Sequence, residues 1–322
     1  IIRYILFVAK GISAFPLAAV YTKSVYIVMW LVFSYFLLGV FLLQQRKRPM
    51  VLGCCCTIAL CVAVLASWTE PYQDQMRMTM LDVGQGQSIL LQSDGKNYLV
   101  DCGGDSPKAA ADEAVALLES QGIRKLDGLI LTHYDRDHAE GAAYFLQRMA
   151  VDVLFLPNCR DEYGRAEALL KLHTGAVVYV DQDLVISYSD TKLTLVPSQK
   201  AETDNESGLC VLFQRLECDI LITADRSDAG ERELIEHMAL PDLEVLVVGH
   251  HGSKYSTGRE LLIKTTPDYA LISVGADNPF GHPAPEVLER LEGFGITVYR
   301  TDLHGTIIYR GWDHGQEGRK TR

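Results

Sequence analysis

The chain has 322 residues and a formal charge of −11, unevenly spread. Residues 1–68 hold six basic side chains (Arg3, Lys10, Lys23, Arg46, Lys47, Arg48) and no acidic one, so the remainder sets 24 Lys and Arg against 41 Asp and Glu, a balance of −17. An acidic region of about 250 residues is enough for one α/β core, yet it offers a polyanion no general attraction; a nucleic-acid partner would need local basic groups or metal ions.

The chain begins at Ile1 rather than Met, as expected of the C-terminal part of a longer protein. Residues 1–20, interrupted by Arg3, Lys10 and Pro16, read as an interfacial amphipathic helix or the tail of an earlier span. Residues 25–43 carry no charge over about one bilayer thickness of helix, and residues 50–68 form a second such run. Both are expected to be transmembrane, making residues 1–70 a membrane region. Arg46-Lys47-Arg48 between them marks the cytoplasmic side. The second span then leads outward, and residues 71–312 are expected to form an extracytoplasmic domain of a multi-pass cell-membrane protein, with residues 313–322 a polar tail. No small-residue cleavage site supports a signal peptide.

Cys54, Cys55, Cys56 and Cys61 fall in the second span, where they serve as small hydrophobes. Cys102 and Cys159 read as buried free thiols. Cys210 and Cys218 bracket a hairpin and could pair across it in an oxidising compartment. No Cys-x-x-Cys zinc knuckle is present.

In the acidic region, alternating segments 76–82, 88–93 and 97–101 read as strands, the last two joined by the turn pair Asp94-Gly95. Ser106-Pro107 starts a helix that stops at Gly122. An apolar strand, 126–131, leads into Leu131-Thr-His-Tyr-Asp-Arg-Asp-His-Ala-Glu-Gly141, followed by a helix to about residue 150. Strands at 151–156, 177–180, 184–189, 193–196, 209–215, 219–223, 243–248, 269–274, 297–301 and 305–309 follow, with helices at 162–172, 229–238 and 285–294. Strands in runs with helices between pairs predict two mixed sheets facing each other, helices outside, rather than a doubly wound sheet. The glycines of Asp82-Val-Gly-Gln-Gly-Gln do not form a dinucleotide loop, because a strand follows them.

Polar residues recur at strand ends: Asp82, then His133, Asp135, Asp137 and His138, then Asp225, then His250 and His251, with His282 in a loop. An isolated Asp after a strand is usually a turn former. Carboxylates and imidazoles at several strand ends of one domain are what a two-metal hydrolytic site requires.

The motifs LDVGQGQS (81–88), DCGG (101–104), LTHYDRDHAEG (131–141), ITAD (222–225), VGHHGSKYST (248–257) and FGHP (280–283) together resemble the metallo-β-lactamase fold. More closely, they resemble the C-terminal domain of the ComEC family of DNA-uptake (natural competence) channel proteins, the two spans matching the end of that family's membrane region. The resemblance implies an α/β fold, a metallo-β-lactamase αββα sandwich preceded by transmembrane helices, and two divalent ions. His133 and Asp135 would hold one ion and Asp137 and His138 the second, with Asp225 bridging and His250 (or His251) completing the second site. Asp82 would hydrogen-bond into the ligand loop, and His251-Gly-Ser253 resembles a phosphate-holding turn.

Two departures from the general pattern stand out. Asp135 replaces the usual second histidine, and the intermediate histidine is missing from Thr203–Gly208, which offers only Asn205, Glu206 or Ser207. Oxygen in place of imidazole favours harder ions, so manganese or magnesium is expected over zinc at the first position.

The implied activity is a nuclease hydrolysing the DNA strand that is not transported. Asp137 would orient water and one of His250 and His251 would protonate the leaving group. Ser253, Lys254, Tyr255 and His282 would contact substrate, and Arg226 would add a phosphate contact. Its partners would be DNA (single strand or duplex), the membrane, other uptake components and the upstream channel region of the same protein. Two other readings are a degenerate module that gates or guides DNA without cutting, and a small-molecule hydrolase of lactones or thioesters.

Overall fold

The structure, a computed structural model, describes residues 2–13, 24–69, 76–198 and 207–311. The polar tail, residues 14–20 of the first stretch, and Asn205 and Glu206 lie outside the described residues. The chain forms two compact units, residues 1–71 with 116–124 and residues 72–115 with 125–322.

In the first unit, α1 (Ile2–Ser13) precedes α2 (Val25–Leu43) and α3 (Pro49–Thr69). Both α2 and α3 are long and apolar enough to cross a membrane. Their outward side chains are apolar and exposed, as at Val32, Phe36 and Leu65. Trp30 Nε1 donates to the Cys56 carbonyl at 3.0 Å and ties the two helices together. Lys47 Nζ donates to the carbonyls of Phe41 (2.8 Å) and Leu42 (2.6 Å), satisfying acceptors that the end of α2 leaves open.

The second unit contains two seven-stranded sheets. The first comprises β1 (Met76–Met80), β2 (Ile89–Ser93), β3 (Lys96–Val100), β4 (Lys125–Ile130), β5 (Ala150–Pro157), β6 (Ala176–Val180) and β14 (Ile307–Gly311), in the order β14-β1-β2-β3-β4-β5-β6. The second comprises β7 (Leu184–Tyr188), β8 (Thr191–Val196), β9 (Cys210–Arg215), β10 (Cys218–Ile222), β11 (Val245–Val247), β12 (Tyr269–Ile272) and β13 (Thr297–Arg300), in the order β13-β12-β11-β10-β9-β8-β7. Each sheet is antiparallel on one side and parallel on the other, β3 to β6 and β10 to β13 being the parallel runs. These are the facing mixed sheets that the element order predicts, with α4 (Pro107–Ser120) between β3 and β4 in the chain and α7 (Arg165–Leu172) between β5 and β6.

The period of two along each strand builds the core. Met76, Met78, Met80, Ile89, Leu91, Val100 and Ile130 of the first sheet meet Leu193, Leu195, Val211, Phe213, Ile220, Ile222, Val245 and Val247 of the second. Alternate residues point the other way. On the outer face of the second sheet, Leu212, Leu221 and Leu246 pack with Leu234 of α8 (Asp228–His237), Leu261 and Leu262 of α9 (Arg259–Thr265), and Val287 and Leu291 of α10 (Pro285–Gly293). Strands covered on both faces read as nearly continuous apolar runs, and each fully buried Leu contributes about 1.5–3 kcal/mol.

Three expectations change. The single helix after the His/Asp loop is two short pieces, α5 (Arg136–Ala139) and α6 (Ala142–Leu146), with Gly141 between them. A Cβ at Gly141 would lie 2.4 Å from the Cys102 carbonyl oxygen, so the close approach there requires glycine. Helix α9 lies in a stretch to which the sequence assigned no element. Cys210 and Cys218 are both buried and form no disulfide with each other. Cys218 lies opposite Arg215 while Val211 lies opposite Ile222, so the two cysteines sit at opposite ends of the hairpin.

Candidate metal centre

The candidate ligands, and the acid that orients one of them, come from the ends of four strands. Parallel pairing aligns β3 with β4 (Val100 opposite Ile130) and β10 with β11 (Ile222 opposite Val247), so each pair ends at one edge of its sheet. Beyond β3 stands Asp101, beyond β4 His133 to His138, beyond β10 Asp225, and beyond β11 His250 and His251. The backbone is strained where it turns into the site. Asp101 (φ 58°), Ala224 (φ 51°), His250 (φ 49°) and His251 (φ 54°) are all left-handed without being glycine, a conformation costing of order 1–3 kcal/mol each.

Glycines hold the ligand loop from beneath. The Asp137 carbonyl accepts from Gln87 N–H at 2.9 Å and the His138 carbonyl from Cys102 N–H at 2.8 Å. A Cβ at Gly103 would lie 2.2–2.3 Å from the Asp137 and His138 backbone, and one at Gly86 2.6 Å from the Asp137 carbonyl oxygen. The GQG and GG motifs are therefore a seat for the loop. Asp135 occupies the N-cap of α5 but its carboxylate makes no capping bond and is free for other use.

Donor atoms converge around the two oxygens of Asp225. Oδ1 lies 3.1 Å from His138 Nε2 and 4.0 Å from His251 Nε2; Oδ2 lies 3.6 Å from His250 Nε2 and 3.8 Å from His133 Nε2. His133 Nε2 is also 3.7 Å from Asp135 Oδ2, and His251 Nε2 is 3.3 Å from both Asp137 Oδ2 and His138 Nε2. The donor atoms of Asp137, His138, Asp225 and His251 all lie within 4.8 Å of one another. An ion bound at about 2.0–2.2 Å keeps its ligands roughly 3.3–3.6 Å apart, so the spacing suits one shell. His133 Nε2 is buried without a hydrogen-bond partner. Such an orphan costs about 1–3 kcal/mol, and its place between two carboxylates would suit a metal ligand.

Burial opposes charge on these groups, and their pairing overrides it. Asp225 is held well below the usual carboxylate range by His138, then by His251 and His133. His138 is raised well above an ordinary imidazole by Asp225 and Asp101. Asp137 is lowered by its hydrogen bond to His251 and by His138, and His251 is raised by Asp137 and Asp225. In His133, burial and the neighbouring His138 outweigh the carboxylates and lower the pKa, favouring the neutral, ligating form.

The residue that orients the ligands is Asp101, to which the sequence assigned no role. It is fully buried. Its Oδ2 accepts from His138 Nδ1 (2.8 Å), Thr132 Oγ1 (2.7 Å) and Gln87 Nε2 (2.8 Å), and its Oδ1 accepts from Thr132 N–H (2.7 Å). This fixes which imidazole nitrogen of His138 faces the pocket. The Ser273 carbonyl does the same for His251, accepting from Nδ1 at 2.8 Å. Asp101 was visible as an acid after a strand within DCGG, the same signal that marked Asp225.

Asp82, expected in that orienting role, is exposed; its Oδ1 accepts from Gly84 N–H at 3.4 Å, within its own turn. Of the two histidines left open for the place beside Asp137 and His138, His251 takes it, and His250 stands at the other oxygen of Asp225. Arg226 is not at the surface to meet phosphate. It is 1 % exposed and donates to the carbonyls of Val196 and Gly208. Ser253 is buried, its hydroxyl accepting from Tyr255 N–H at 3.4 Å. Lys254 and Tyr255 are exposed, the ammonium 5.0 Å from the ring centroid. His282 lies beside His250, ring centroids 5.8 Å apart, with the exposed Phe280 on its other side at 5.8 Å.

The chain belongs to the metallo-beta-lactamase superfamily, whose family model matches residues 81–276. Within it, the chain is similar to ComE operon protein 3 of Bacillus subtilis (strain 168), 29% identical over 278 residues that cover 80% of this chain and 35% of that one. It is also similar to Competence protein ComA of Neisseria gonorrhoeae, 32% identical over 239 residues covering 74% and 32%. The resemblance to the ComEC family carried by the motifs therefore holds, and the chain spans about one third of the length of these relatives. Among solved structures, YhfI from Bacillus subtilis shares the fold, with a TM-score of 0.51 at 13% identity over 73% of this chain and all of that one.

Proposed function

We propose that this chain is the nuclease portion of a membrane DNA-uptake channel, hydrolysing phosphodiester bonds of the strand that is not carried inward. The observation that carries the reading is the division of the pocket by Asp225, whose two oxygens each face a separate pair of imidazoles at 3.1–4.0 Å. Two donor sets sharing one carboxylate are the arrangement of two-ion phosphoryl chemistry. The likeness to Competence protein ComA supports DNA as the substrate class.

Divalent ions held there would supply Lewis-acid charge and a water acidic enough to attack at neutral pH. Asp225 would keep the two ions adjacent. The buried Asp101 and the Ser273 carbonyl hold His138 and His251 so that Nε2 faces inward. Asp137, 30 % exposed and hydrogen-bonded to His251, is placed to orient an entering water. With both His250 and His251 turned toward Asp225, neither is left to protonate the leaving group. Lys254, exposed three residues beyond His251, offers a cation to the phosphate backbone. Tyr255 and His282 present faces to neighbouring nucleotides. Manganese fits the mixed imidazole and carboxylate donors better than magnesium, which binds nitrogen poorly, with zinc the competitor. The basic triplet Arg46-Lys47-Arg48 between the two spans supports an extracytoplasmic domain of a multi-pass protein.

The test is the full chain in detergent, given manganese and single- or double-stranded DNA. Cutting that Asp225→Ala abolishes supports the proposal. Turnover of lactones or thioesters without cutting replaces it with a small-molecule hydrolase. Neither activity, with metal bound, leaves a gating module.

A further inference from the structure

We infer that His250 is a ligand of the first ion, standing in for the intermediate histidine that the sequence lacks. The pocket then holds two matched sets: His133, His250 and Asp135 around Asp225 Oδ2, and His138, His251 and Asp137 around Asp225 Oδ1. The inference rests on the two-ion reading of the site and is independent of whether DNA is cut.

Three observations carry it. The separations around Oδ2 are nearly uniform: 3.6 Å to His250 Nε2, 3.8 Å to His133 Nε2, and 3.7 Å from that nitrogen to Asp135 Oδ2. Each is longer than a hydrogen bond and near the spacing of neighbouring ligands on one ion. His250 and His251 address different oxygens of Asp225, so they do not compete for one ion. The backbone explains how neighbours in sequence reach one cleft. On an extended strand end, adjacent side chains point to opposite faces. Here both residues are left-handed (φ 49°, ψ 48° and φ 54°, ψ 21°), which turns both rings inward, 6.4 Å apart and at 75° to each other. The conformation is pinned on both sides, His250 N–H donating to the Ala224 carbonyl (2.9 Å) and the His250 carbonyl accepting from Ser253 N–H (2.9 Å). Strain of this kind persists where a function requires it.

The double histidine thus restores the imidazole lost from the 203–208 segment, and each ion gains two nitrogen donors, one carboxylate of its own and one shared. His250 also differs from the other three imidazoles in access: its side chain is 34 % exposed, against 0 % for His133 and His138 and 3 % for His251. With Asp135 39 % exposed against 30 % for Asp137, the first set is the more open of the two to solvent and exchange.

The test counts ions on the metal-free full chain in detergent, titrated with manganese and followed by calorimetry and electron paramagnetic resonance. The unaltered chain is expected to take two ions with a coupled spin signal. His250→Ala should retain one uncoupled ion. His250→Ala with His133→Ala should also retain one, both changes striking the same set, whereas His250→Ala with His138→Ala should retain none. The inference is overturned if His250→Ala binds two ions as tightly as the unaltered chain. It is equally overturned if His250→Ala with His251→Ala retains one ion while the pair with His133→Ala retains none, or if the unaltered chain takes fewer than two. A measurement without substitution stands beside these. Diethylpyrocarbonate should modify His250 in the metal-free chain and do so several-fold more slowly once manganese is bound; an unchanged rate overturns the assignment. A chain that binds two ions this way and cuts no DNA leaves it standing.

Discussion

Asp101 Oδ2 and His138 Nδ1 lie 2.8 Å apart, both fully buried, and that bond decides which face of the His138 ring meets the pocket. The carboxylate raises the basicity of the ligand nitrogen as well as aiming it. Asp101→Asn keeps an oxygen acceptor, removes the charge, and tolerates the left-handed backbone at this position (φ 58°). The variant should fold and bind manganese about 10–100-fold more weakly by calorimetric titration. An unchanged affinity would reduce Asp101 to a packing group. Asp101→Ala should do more, destabilising the fold as well, because Thr132 and Gln87 lose their acceptor.

Gly103 carries a second prediction. Its added Cβ would meet the backbone of Asp137 and His138 at 2.2–2.3 Å, and backbone cannot step aside as a flexible side chain can. Gly103→Ala should therefore displace two ligands at once, weakening manganese binding at least about tenfold, since small misplacements of reacting groups are expensive. Gly293→Ala, where nothing lies within 4 Å, is the control and should bind normally. Equal behaviour of the two variants would show that the loop is not seated as described.

These motifs were visible in the sequence as strings, and what they do was not. Alternating apolar runs at Met76–Met80 and Cys218–Ile222 predict strands because a half-buried or doubly buried strand repeats every two residues. The four potential ligands in residues 133–138 are legible because they are close in sequence. Asp101 was harder to assign, since its meaning depends on meeting Thr132 and His138 across two strands. The choice between His250 and His251 was out of reach for a related reason. It depends on two consecutive left-handed residues, whereas local pattern treats a strand end as extended. Arg226 misled because a buried arginine is uncommon, and its partners are carbonyls that leave no trace in the sequence.

Arg226 supplies a stability prediction. Its guanidinium bridges the carbonyls of Val196 and Gly208 at 2.9–3.1 Å, closing the segment between β8 and β9 at its two ends. Arg226→Met keeps much of the volume and leaves two buried acceptors without this donor, a loss of about 2–4 kcal/mol. Urea unfolding should show a lower midpoint with an unchanged slope. An unfolding free energy within about 0.5 kcal/mol of that of the unaltered protein would mean the clamp is dispensable.

The thiols give a direct check on the hairpin register. Cys210 Sγ lies 3.8 Å from the Thr223 carbonyl oxygen and Cys218 Sγ lies 3.7 Å from the Tyr309 hydroxyl, at opposite ends of the β9–β10 pair. Alkylation after denaturation without reductant should label both residues, even in protein recovered from an oxidising compartment. A peptide joining Cys210 to Cys218 would require a different pairing of these strands.

Removing metal should lower stability, because the ions bind the folded chain and find no assembled site in the unfolded one. His133 Nε2, buried without a hydrogen-bond partner, gains the ion to coordinate, and the carboxylates of Asp135, Asp137 and Asp225 gain a counter-charge. At a concentration 100 times its dissociation constant each ion contributes about 2.7 kcal/mol. For a domain of this size that corresponds to roughly 5–10 °C in melting temperature per ion. Differential scanning calorimetry of the full chain should therefore show a marked drop with chelator and recovery when manganese is returned. His250→Ala should show about half the gain on manganese addition, since one of the two sets remains. If the variant recovers as much as the unaltered chain, His250 contributes nothing to binding; if neither responds to manganese, the pocket is not a metal centre.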